Sequence, residues 1–126
     1  MIDGIFTNSN YMLARKTLDY NNMRHEALAA NLASVEVPGY KRMDVSASDF
    51  QAQLGKALQS GNKNAMDSVT PQISMDLTAV SSRRDGNNVE MDKELMEINS
   101  NALEYEYVTR YINHDYQMIR SAISGQ

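Results

Sequence analysis

A heptad repeat near the C-terminus constrains the fold of this chain more than any other feature of its sequence. No Gly or Pro occurs between Met91 and Gly125, so the repeat predicts one straight helix about 50 Å long, at about 1.5 Å per residue. Arg110 and Arg120 come late in this helix and acidic residues come early, which is the order that the helix dipole favours. Apart from Thr109, the residues at alternating steps of four and three are apolar or aromatic: Met91, Leu95, Ile98, Ala102, Tyr105, Ile112, Tyr116, Ile119 and Ile123.

A second helix is predicted near the N-terminus, from about Ile5 to Ala33, where Gly and Pro are again absent. At about 100° per residue, its apolar side chains form two groups on nearly opposite faces. One group is Tyr11, Ala14, Leu18, Leu28 and Leu32, and the other is Leu13, Tyr20, Met23, Ala27 and Ala30. Because a single intramolecular partner cannot cover both faces, we expect one face to contact a neighbouring molecule. An alternative interpretation is that the short Ala and the Tyr side chains tolerate exposure to water.

The stretch between the two helices is rich in Ser, Asn, Gly and Gln, with turn signals at residues 37–39 and 60–62. Ser48 and Gln51 form a candidate capping box at the start of one short amphipathic helix. Further on, apolar and polar residues alternate from Ile73 to Ala79, which is the period of a half-buried strand. Since this strand has no evident partner in the chain, we expect it to lie on the helices, to pair with another molecule or to extend as an arm.

These patterns predict an all-α fold, in which two long terminal helices pack as a coiled-coil hairpin and an extended middle segment contains a short helix and a single strand. We expect one structural unit with three parts: residues 1–44, with the N-terminal helix and a Pro-Gly-Tyr turn, the flexible or extended residues 45–84, and residues 85–126, with a turn and the heptad helix. The three parts carry five basic and five acidic, four and three, and three and eight residues, for a net charge of −4. Without a basic stripe, and with an acidic C-terminal third, the sequence disfavours nucleic acid and anionic lipid as partners and leaves proteins.

The residue types needed for catalysis, for a cofactor or for a metal do not come together in the sequence. The chain has no Cys, which excludes disulfides, a thiolate metal site and a cysteine nucleophile. His25 and His114 have no partner at metal-ligand spacing, and the six Gly residues are too scattered to form a phosphate-binding loop. We interpret the acidic residues from Glu90 to Glu106 as a solvated helix face. We therefore expect a protein that is not an enzyme and that takes no cofactor, metal or small-molecule substrate.

Two turns are more specific than the rest of the sequence. The end of the first helix, at residues 30–34, leads into a sharp reversal at residues 38–40, where polar side chains can satisfy the last backbone groups of the helix. Residues 85–89 form a similar turn before the second helix, where we expect Asn88 to begin the helix cap. The predicted assembly residues of the two turns are Asn31, Leu32, Ala33, Pro38, Gly39, Tyr40, Asp85, Gly86, Asn87, Asn88 and Val89. The predicted helix-packing residues are Leu18, Leu28, Leu32 and the nine residues of the heptad repeat.

The segment from Ala29 to Lys41 resembles the N-terminal signature of flagellar rod and hook proteins, in which a helix ends in Ala-Asn-hydrophobic-Ala-Asn and Thr-Pro-Gly-Tyr follows. Ser34 stands where Asn is usual, and Val37 stands where Thr is usual. The stretch from Asp85 to Glu94 is similar, more specifically, to the opening of the C-terminal helix in proximal rod proteins of that family. With short matches elsewhere, the resemblance covers most of the chain outside residues 55–82.

The resemblance implies an all-helical subunit that stacks in the short rod of the bacterial flagellar basal body and carries motor torque through the periplasm. The implied partners are copies of the chain, other rod proteins, the membrane ring and rod-adaptor proteins of the basal body, and the flagellar type III export apparatus. Export by that apparatus, without a cleaved signal peptide, agrees with the absence of a basic region and of a long apolar run at residues 1–6.

Two alternatives remain at this point. A soluble helical adaptor or chaperone would bind client helices through the same seam and form a discrete small oligomer, and another rod or hook protein would share the turn at residues 38–40. For a rod subunit we expect the middle segment to reach toward neighbours, and we expect the free chain to be partly disordered and to become ordered on assembly.

Overall fold

Two long antiparallel helices form the frame of the molecule in the computed structural model, which describes residues 9–81 and 83–125. Helix α1 spans Ser9–Ala33, and its predicted first residues, 5–8, lie outside the described residues. The C-terminal helix spans Met91–Ser124 and is α4 in the order of the chain. It ends where the N–H of Gly125 bonds to the carbonyl of Ser121 at 3.1 Å. The two predicted terminal helices are thereby confirmed.

The middle segment is folded rather than extended. It contains strand β1 (Met43–Val45), helix α2 (Ala47–Ser60), helix α3 (Lys63–Ser68) and strand β2 (Ile73–Met75). The two strands pair antiparallel, with Met43 opposite Met75 and Val45 opposite Ile73. The mostly helical fold class is confirmed, but the expectation of a strand without a partner in the chain is wrong. Strand β1 has three residues, too few to show a readable alternation in the sequence.

Helix α2 begins earlier than the sequence predicts. Its N-cap is Ser46, whose Oγ accepts a hydrogen bond from the N–H of Asp49 at 3.3 Å, so the candidate capping box that starts at Ser48 is wrong. The helix ends at the predicted break, at Ser60. Asn62 then caps α3 by accepting a hydrogen bond from the N–H of Asn64 at 2.9 Å.

The hydrophobic core lies between α1 and the middle segment. The rings of Tyr20 and Phe50 stack with their centroids 4.9 Å apart. Around this pair lie the buried residues Val45, Leu54, Ala57, Met66 and Val69, and α1 adds Met12, Leu13 and Met23 at the edge. The premise that α1 has a single partner within the chain is therefore wrong, because α1 packs against the middle segment on one side and against α4 on the other.

A buried lysine ties the middle segment to α1. Lys16 donates from Nζ to the carbonyl oxygens of Asp67 and Val69, each at 2.9 Å. Carbonyls at the end of a helix lack intrahelical partners, and a cation there also interacts favourably with the helix dipole. Lys16 therefore fixes the end of α3 against the frame of the molecule.

The side of α4 that faces α1 is not the predicted heptad seam. Glu94 and Asn101 are buried at the contact with α1, and Ile98 and Ile112 lie half-buried along the same line. Asn101 Nδ2 donates to the carbonyl of Asn21 at 2.9 Å, which places a polar contact where an apolar one was expected. Six of the nine predicted packing residues of α4 are exposed: Met91, Leu95, Ala102, Tyr105, Tyr116 and Ile123. Ile119 is half-buried.

Helix α4 is thus turned about its axis relative to the prediction, because α1 supplies polar partners for Glu94 and Asn101. On α1, Leu28 is fully buried, whereas Leu18 and Leu32 are half-buried.

Candidate assembly site

The two signature turns, far apart in the sequence, meet at one end of the helix pair. The N–H of Gly39 donates to the carbonyl of Asp85 at 2.8 Å, and Lys41 Nζ donates to the carbonyl of Gly86 at 2.5 Å. Gly39 and Gly86 adopt left-handed φ values of 73° and 79°, which side chains other than Gly rarely tolerate. We name the contact between residues 31–44 and 83–94 the turn junction.

Asn87 closes the end of α1 from the other end of the chain. Its side chain is fully buried, and Nδ2 lies within 3.0 Å of the carbonyl oxygens of Ser34 and Val35 and 2.8 Å from that of Val37. Its Oδ1 accepts a hydrogen bond from the N–H of Val89 at 2.8 Å. These carbonyls follow the last turn of α1, where backbone groups have no helical partner. The side-chain amide of Asn87 therefore provides the hydrogen-bond donor for the backbone carbonyls that follow α1.

Asn88 contacts residues that flank the two strands and does not cap α4. Its Oδ1 accepts a hydrogen bond from the N–H of Arg42 at 2.6 Å, and its Nδ2 donates to the carbonyl of Ala79 at 3.1 Å. The N-cap of α4 is Glu90, which makes no side-chain capping bond. The predicted capping role of Asn88 is therefore wrong, because its side chain is engaged across the junction.

Asn31 binds the start of β1 as a neighbouring strand would. Its Nδ2 donates to the carbonyl of Met43 at 2.6 Å, and its Oδ1 accepts from the N–H of the same residue at 2.9 Å. The hydroxyl of Tyr40 donates to the same Oδ1 at 3.1 Å, and Nδ2 also lies 3.2 Å from Oε2 of Glu94. Asn31 thus joins α1, the Pro-Gly-Tyr turn, β1 and α4.

Arg42 is the centre of a buried ion network. Its Nε contacts Oε1 of Glu94, which is 0% exposed, and its Nη1 donates to Asp44 at 3.0 Å and to Asp76 at 2.7 Å. Burial alone would lower the pKa of Arg42, but the hydrogen bond to Glu94 and the charges of Glu94 and Asp44 raise that pKa above its ordinary value. Arg42 therefore stays charged, and the network is intact, throughout the pH range in which the carboxylates are ionised.

A second arginine extends the network along α1. Arg24 donates to Asp44 at 3.1 Å and to Glu97 at 2.7 Å. Burial opposes the charged form of Arg24, but the hydrogen bond and the charge of Asp44 outweigh this effect and raise its pKa. The network thus connects β1 to α1 and to the first turns of α4.

The structure brings most of the predicted turn residues together and adds charged residues that sequence reasoning missed. Asn31, Gly39, Tyr40, Gly86, Asn87 and Asn88 meet in the junction, and Val89 is buried beside them. Asp85 also joins it, since its Oδ1 accepts from the N–H of Asn87 at 3.0 Å, whereas Leu32 is half-buried and Ala33 and Pro38 are exposed. The missed residues are Arg24, Arg42, Asp44, Asp76 and Glu94. A second four-three series through Glu94, Ile98 and Asn101 is present in the sequence, but two of these three residues are polar, so apolar periodicity does not reveal it.

Comparison with known proteins identifies the family. The flagellar basal body rod protein FlgB of Escherichia coli strain K12 is 30% identical over 128 residues, which cover 89% of this chain and 83% of that protein. This chain belongs to the FlgB family. FlgB of Salmonella typhimurium is 30% identical over 88% of this chain and 90% of its own length, and FlgB of Borrelia hermsii is 26% identical over 88% and 93%. No protein-family model matches the chain.

Two kinds of site were sought in the described residues of this FlgB family member: a metal site and a membrane-spanning helix. Within residues 9–81 and 83–125, no group of three or more His, Cys, Asp or Glu side chains is placed to hold a metal ion. In the same part of the chain, no helix combines the length and the apolar character that crossing a membrane requires.

Helix α4 exposes large apolar side chains on two faces. One face carries the outward part of the heptad repeat, with Met91, Leu95, Ala102, Tyr105, Tyr116 and Ile123. At about 100° per residue, a second face nearly opposite carries Met96, Leu103, Tyr107 and Met118, all of them exposed. Exposed apolar surface of this extent marks a site of interaction with another protein. For a FlgB family member, both faces are candidate contacts between subunits.

Proposed function

We propose that this chain is a structural subunit of the proximal rod of the flagellar basal body, which assembles through its terminal helices and transmits motor torque. The observation that carries the proposal is the uncovered heptad face of α4. A seven-residue apolar repeat is the pattern of helix–helix packing, yet most of its members do not pack within the chain. This face is therefore available to helices of neighbouring subunits.

The turn junction supports the mechanical part of the proposal. Torque is transmitted by elements that resist bending and shear, and here two long helices are joined at one end by buried hydrogen bonds and ion pairs. Polar networks in which each group has a partner hold one arrangement, because any alternative leaves buried groups unpaired. The junction therefore makes α1, α4 and the β1–β2 pair one stiff body.

The partners follow from the same proposal. They are copies of the chain, other rod proteins, and the membrane ring and rod-adaptor proteins of the basal body, with the flagellar type III apparatus exporting the chain to the periplasm without a cleaved signal peptide. The acidic C-terminal third and the lack of a basic stripe favour protein surfaces over nucleic acid. The similarity to flagellar basal body rod proteins supports this location.

The test replaces apolar residues of the uncovered heptad face in cells. Leu95→Asp with Ala102→Asp should abolish swimming in a strain that lacks the native gene, because a charge in an apolar helix contact is strongly unfavourable. The control is Gln51→Asp with Gln59→Asp, which adds the same charge at exposed polar positions of α2, outside both apolar faces of α4, and should preserve swimming. Circular dichroism of the free variants checks that both retain their helices.

Three results would contradict the proposal. One is swimming in the strain that lacks the gene. Another is the absence of the chain from purified basal bodies imaged by electron microscopy. The third is recovery of the chain only as a discrete soluble oligomer, which is the behaviour of a helical adaptor or chaperone.

A further inference from the structure

The turn that follows β2 holds two apolar side chains in water. Leu77 is 88% exposed and Val80 is 83% exposed, the highest exposures among the large apolar residues that the structure describes. The turn itself is ordered by Asp76, whose Oδ1 accepts hydrogen bonds from the N–H of Thr78 at 2.9 Å and from its hydroxyl at 2.6 Å. We name residues 77–80 the apolar knob.

The apolar knob is fixed to the turn junction at three points. Asp76 accepts a hydrogen bond from Arg42 at 2.7 Å, Asn88 donates to the carbonyl of Ala79 at 3.1 Å, and Ser81 donates to the carbonyl of Asn87 at 2.7 Å. Apolar side chains on a preorganised turn lose little conformational entropy on binding. The knob therefore has the properties of a binding element and not those of a loose loop.

An apolar groove lies between the two helices, away from the junction. It has a volume of about 270 Å³ and is lined by Asn10, Leu13, Ala14, Thr17, Tyr107, Val108 and Tyr111. This volume exceeds the roughly 150 Å³ of a cavity that binds benzene. Tyr107 is 74% exposed at the rim, so the α1–α4 groove is open to a side chain from outside.

The knob and the groove lie at different ends of the same body. The groove is near Ala14, whereas the junction begins where α1 ends at Ala33, which is about 30 Å further along the helix at about 1.5 Å per residue. A contact between two different surfaces of identical chains is heterologous, and repeating it gives an open assembly unless the rotation closes a ring. A rod subunit needs a contact of this kind.

The charges beside the two surfaces are complementary. Glu104 and Asp115 lie on the same side of α4 as Tyr107 and Tyr111, by helical periodicity, so the groove has acidic ends. Arg83 and the exposed Arg84 follow the knob in sequence. Asp85 pairs with Arg83 at 2.9 Å, and Arg84 adds a further positive charge. Opposite charges at the edges of two surfaces set their mutual orientation.

We propose that the apolar knob of one copy seats in the α1–α4 groove of a second copy and makes a head-to-tail contact. This proposal rests on the proposed function, since it names the surfaces through which copies of the subunit contact one another. Leu77 and Val80 enter the groove against Leu13, Ala14 and Val108, and Tyr107 covers them at the rim.

The chain has no Cys, so engineered cysteines report the contact without background. Val80→Cys together with Tyr107→Cys, in basal bodies treated with a short bis-maleimide, should give a ladder of dimers and higher multimers. Each single variant should give no multimer of the chain. Val80→Cys with Gln59→Cys is the matched control, because Gln59 is exposed on α2 and does not line the α1–α4 groove, and this pair should also give none.

A second measurement removes the knob without disturbing the core. This measurement uses a cross-linking pair that does not involve Val80, namely Thr78→Cys with Tyr107→Cys. When Leu77→Ser and Val80→Ser are added to this pair, the multimers should decrease about tenfold or more, because the contact loses its apolar anchors. The same Thr78→Cys pair with Leu77 and Val80 intact is the reference. Both substituted side chains are exposed, so the circular dichroism spectrum of the free chain should not change.

Each remaining outcome overturns the proposal. Dimers of Val80→Cys alone would mean a two-fold contact, a ladder with Gln59→Cys would mean a different seat, and cross-links only to another basal body protein would mean a different partner. Absence of any cross-link, while the chain is detected in the basal bodies, would also overturn it. If the strain without the gene swims, the proposed function fails. If rods are normal and the ladder is unchanged in the Leu77→Ser, Val80→Ser variant, only the proposed contact of the apolar knob fails.

Discussion

Glu94 and Arg42 show how a charged pair can occupy the contact between two helices. The pair joins residues 52 positions apart, and Asn31 donates a further hydrogen bond to the same carboxylate. A buried carboxylate is tolerated when a cation and hydrogen-bond donors replace the water that it loses. The charge of Glu94 therefore specifies which side of α4 faces α1.

The pair is tested by Glu94→Gln, which keeps the shape of the side chain and removes its charge. We expect the free energy of unfolding to fall by about 2 kcal/mol, since hydrogen bonds to charged groups contribute about 1.5–3 kcal/mol. Urea unfolding followed by circular dichroism measures the change. Glu90→Gln is the control, because Glu90 is exposed at the N-cap of the same helix. Equal losses in the two variants would contradict a special role for Glu94.

Asp76 makes stability depend on pH. Burial acts to raise its pKa, but hydrogen bonds from Thr78 and from Arg42 outweigh burial and lower the pKa below its ordinary value of 3.8. A carboxyl group with a lowered pKa in the folded state adds stability above its unfolded pKa, and this contribution is lost as the pH falls through the folded pKa.

We therefore expect Asp76→Asn to lower the free energy of unfolding at neutral pH by about 1–3 kcal/mol. The difference from the native chain should shrink as the pH falls below the unfolded value of 3.8. Urea unfolding over this pH range measures it, with Asp67→Asn, at an exposed position, as the control. A difference that is constant with pH would show that Asp76 acts only through its shape.

Sequence reasoning located the residues of the two turns but not their partners. Asn87 and Asn88 stood out because Asn tolerates tight turns and caps helices. Their actual contacts, to carbonyls after α1 and to Arg42, join segments about fifty residues apart. Glu94 was interpreted as solvated because nothing in a single sequence indicates that an arginine directly before β1 will reach it.

At the scale of elements, Lys16 decides how the middle segment is attached. Its ammonium group donates to two carbonyls at the end of α3, those of Asp67 and Val69. We expect Lys16→Met to keep the apolar part of the side chain and to cost about 1–3 kcal/mol, the penalty for carbonyls left without a partner.

The measurement for Lys16→Met is hydrogen exchange, which should show faster exchange at residues 63–70 and little change in α4. Arg15→Met is the matched control, because Arg15 is the exposed neighbour on the same helix. Uniform loss of protection over the whole chain would mean that Lys16 stabilises the frame rather than one element.

Elements bounded by strong local signals could be predicted from the sequence. Helix α4 begins at the predicted Met91, α1 ends at the predicted Ala33, and α2 ends at the break before Gly61. The strand pair and α3 could not be predicted, since each strand has three residues and α3 has six. Such short elements exist because tertiary contacts hold them, and periodicity does not record those contacts.

At the scale of the whole molecule, the packed middle segment limits how far the free chain can be disordered. Residues 94–112 of α4 contact α1, whereas most side chains from 113 to 124 are exposed. We expect the amides of residues 113–124 to exchange faster than those of residues 94–108 in the free chain, because most of the side chains at 113–124 are exposed to water.

In basal bodies the same amides should become protected, since contacts between subunits would add to the helix. Hydrogen exchange of the free chain and of isolated basal bodies makes the comparison. Equal protection along α4 in the free chain, or no gain in basal bodies, would contradict ordering on assembly.

The turn junction also fixes the order in which the molecule can become rigid. Asn87 and Glu94 belong to the last third of the chain, and the carbonyls and the arginine that they bind belong to the first third. A chain delivered N-terminus first cannot complete this contact until about three quarters of its length has arrived, so α1 remains without its closing amide during delivery. Under the proposed export by the flagellar type III apparatus, such a subunit would become stiff only after most of its chain has passed through.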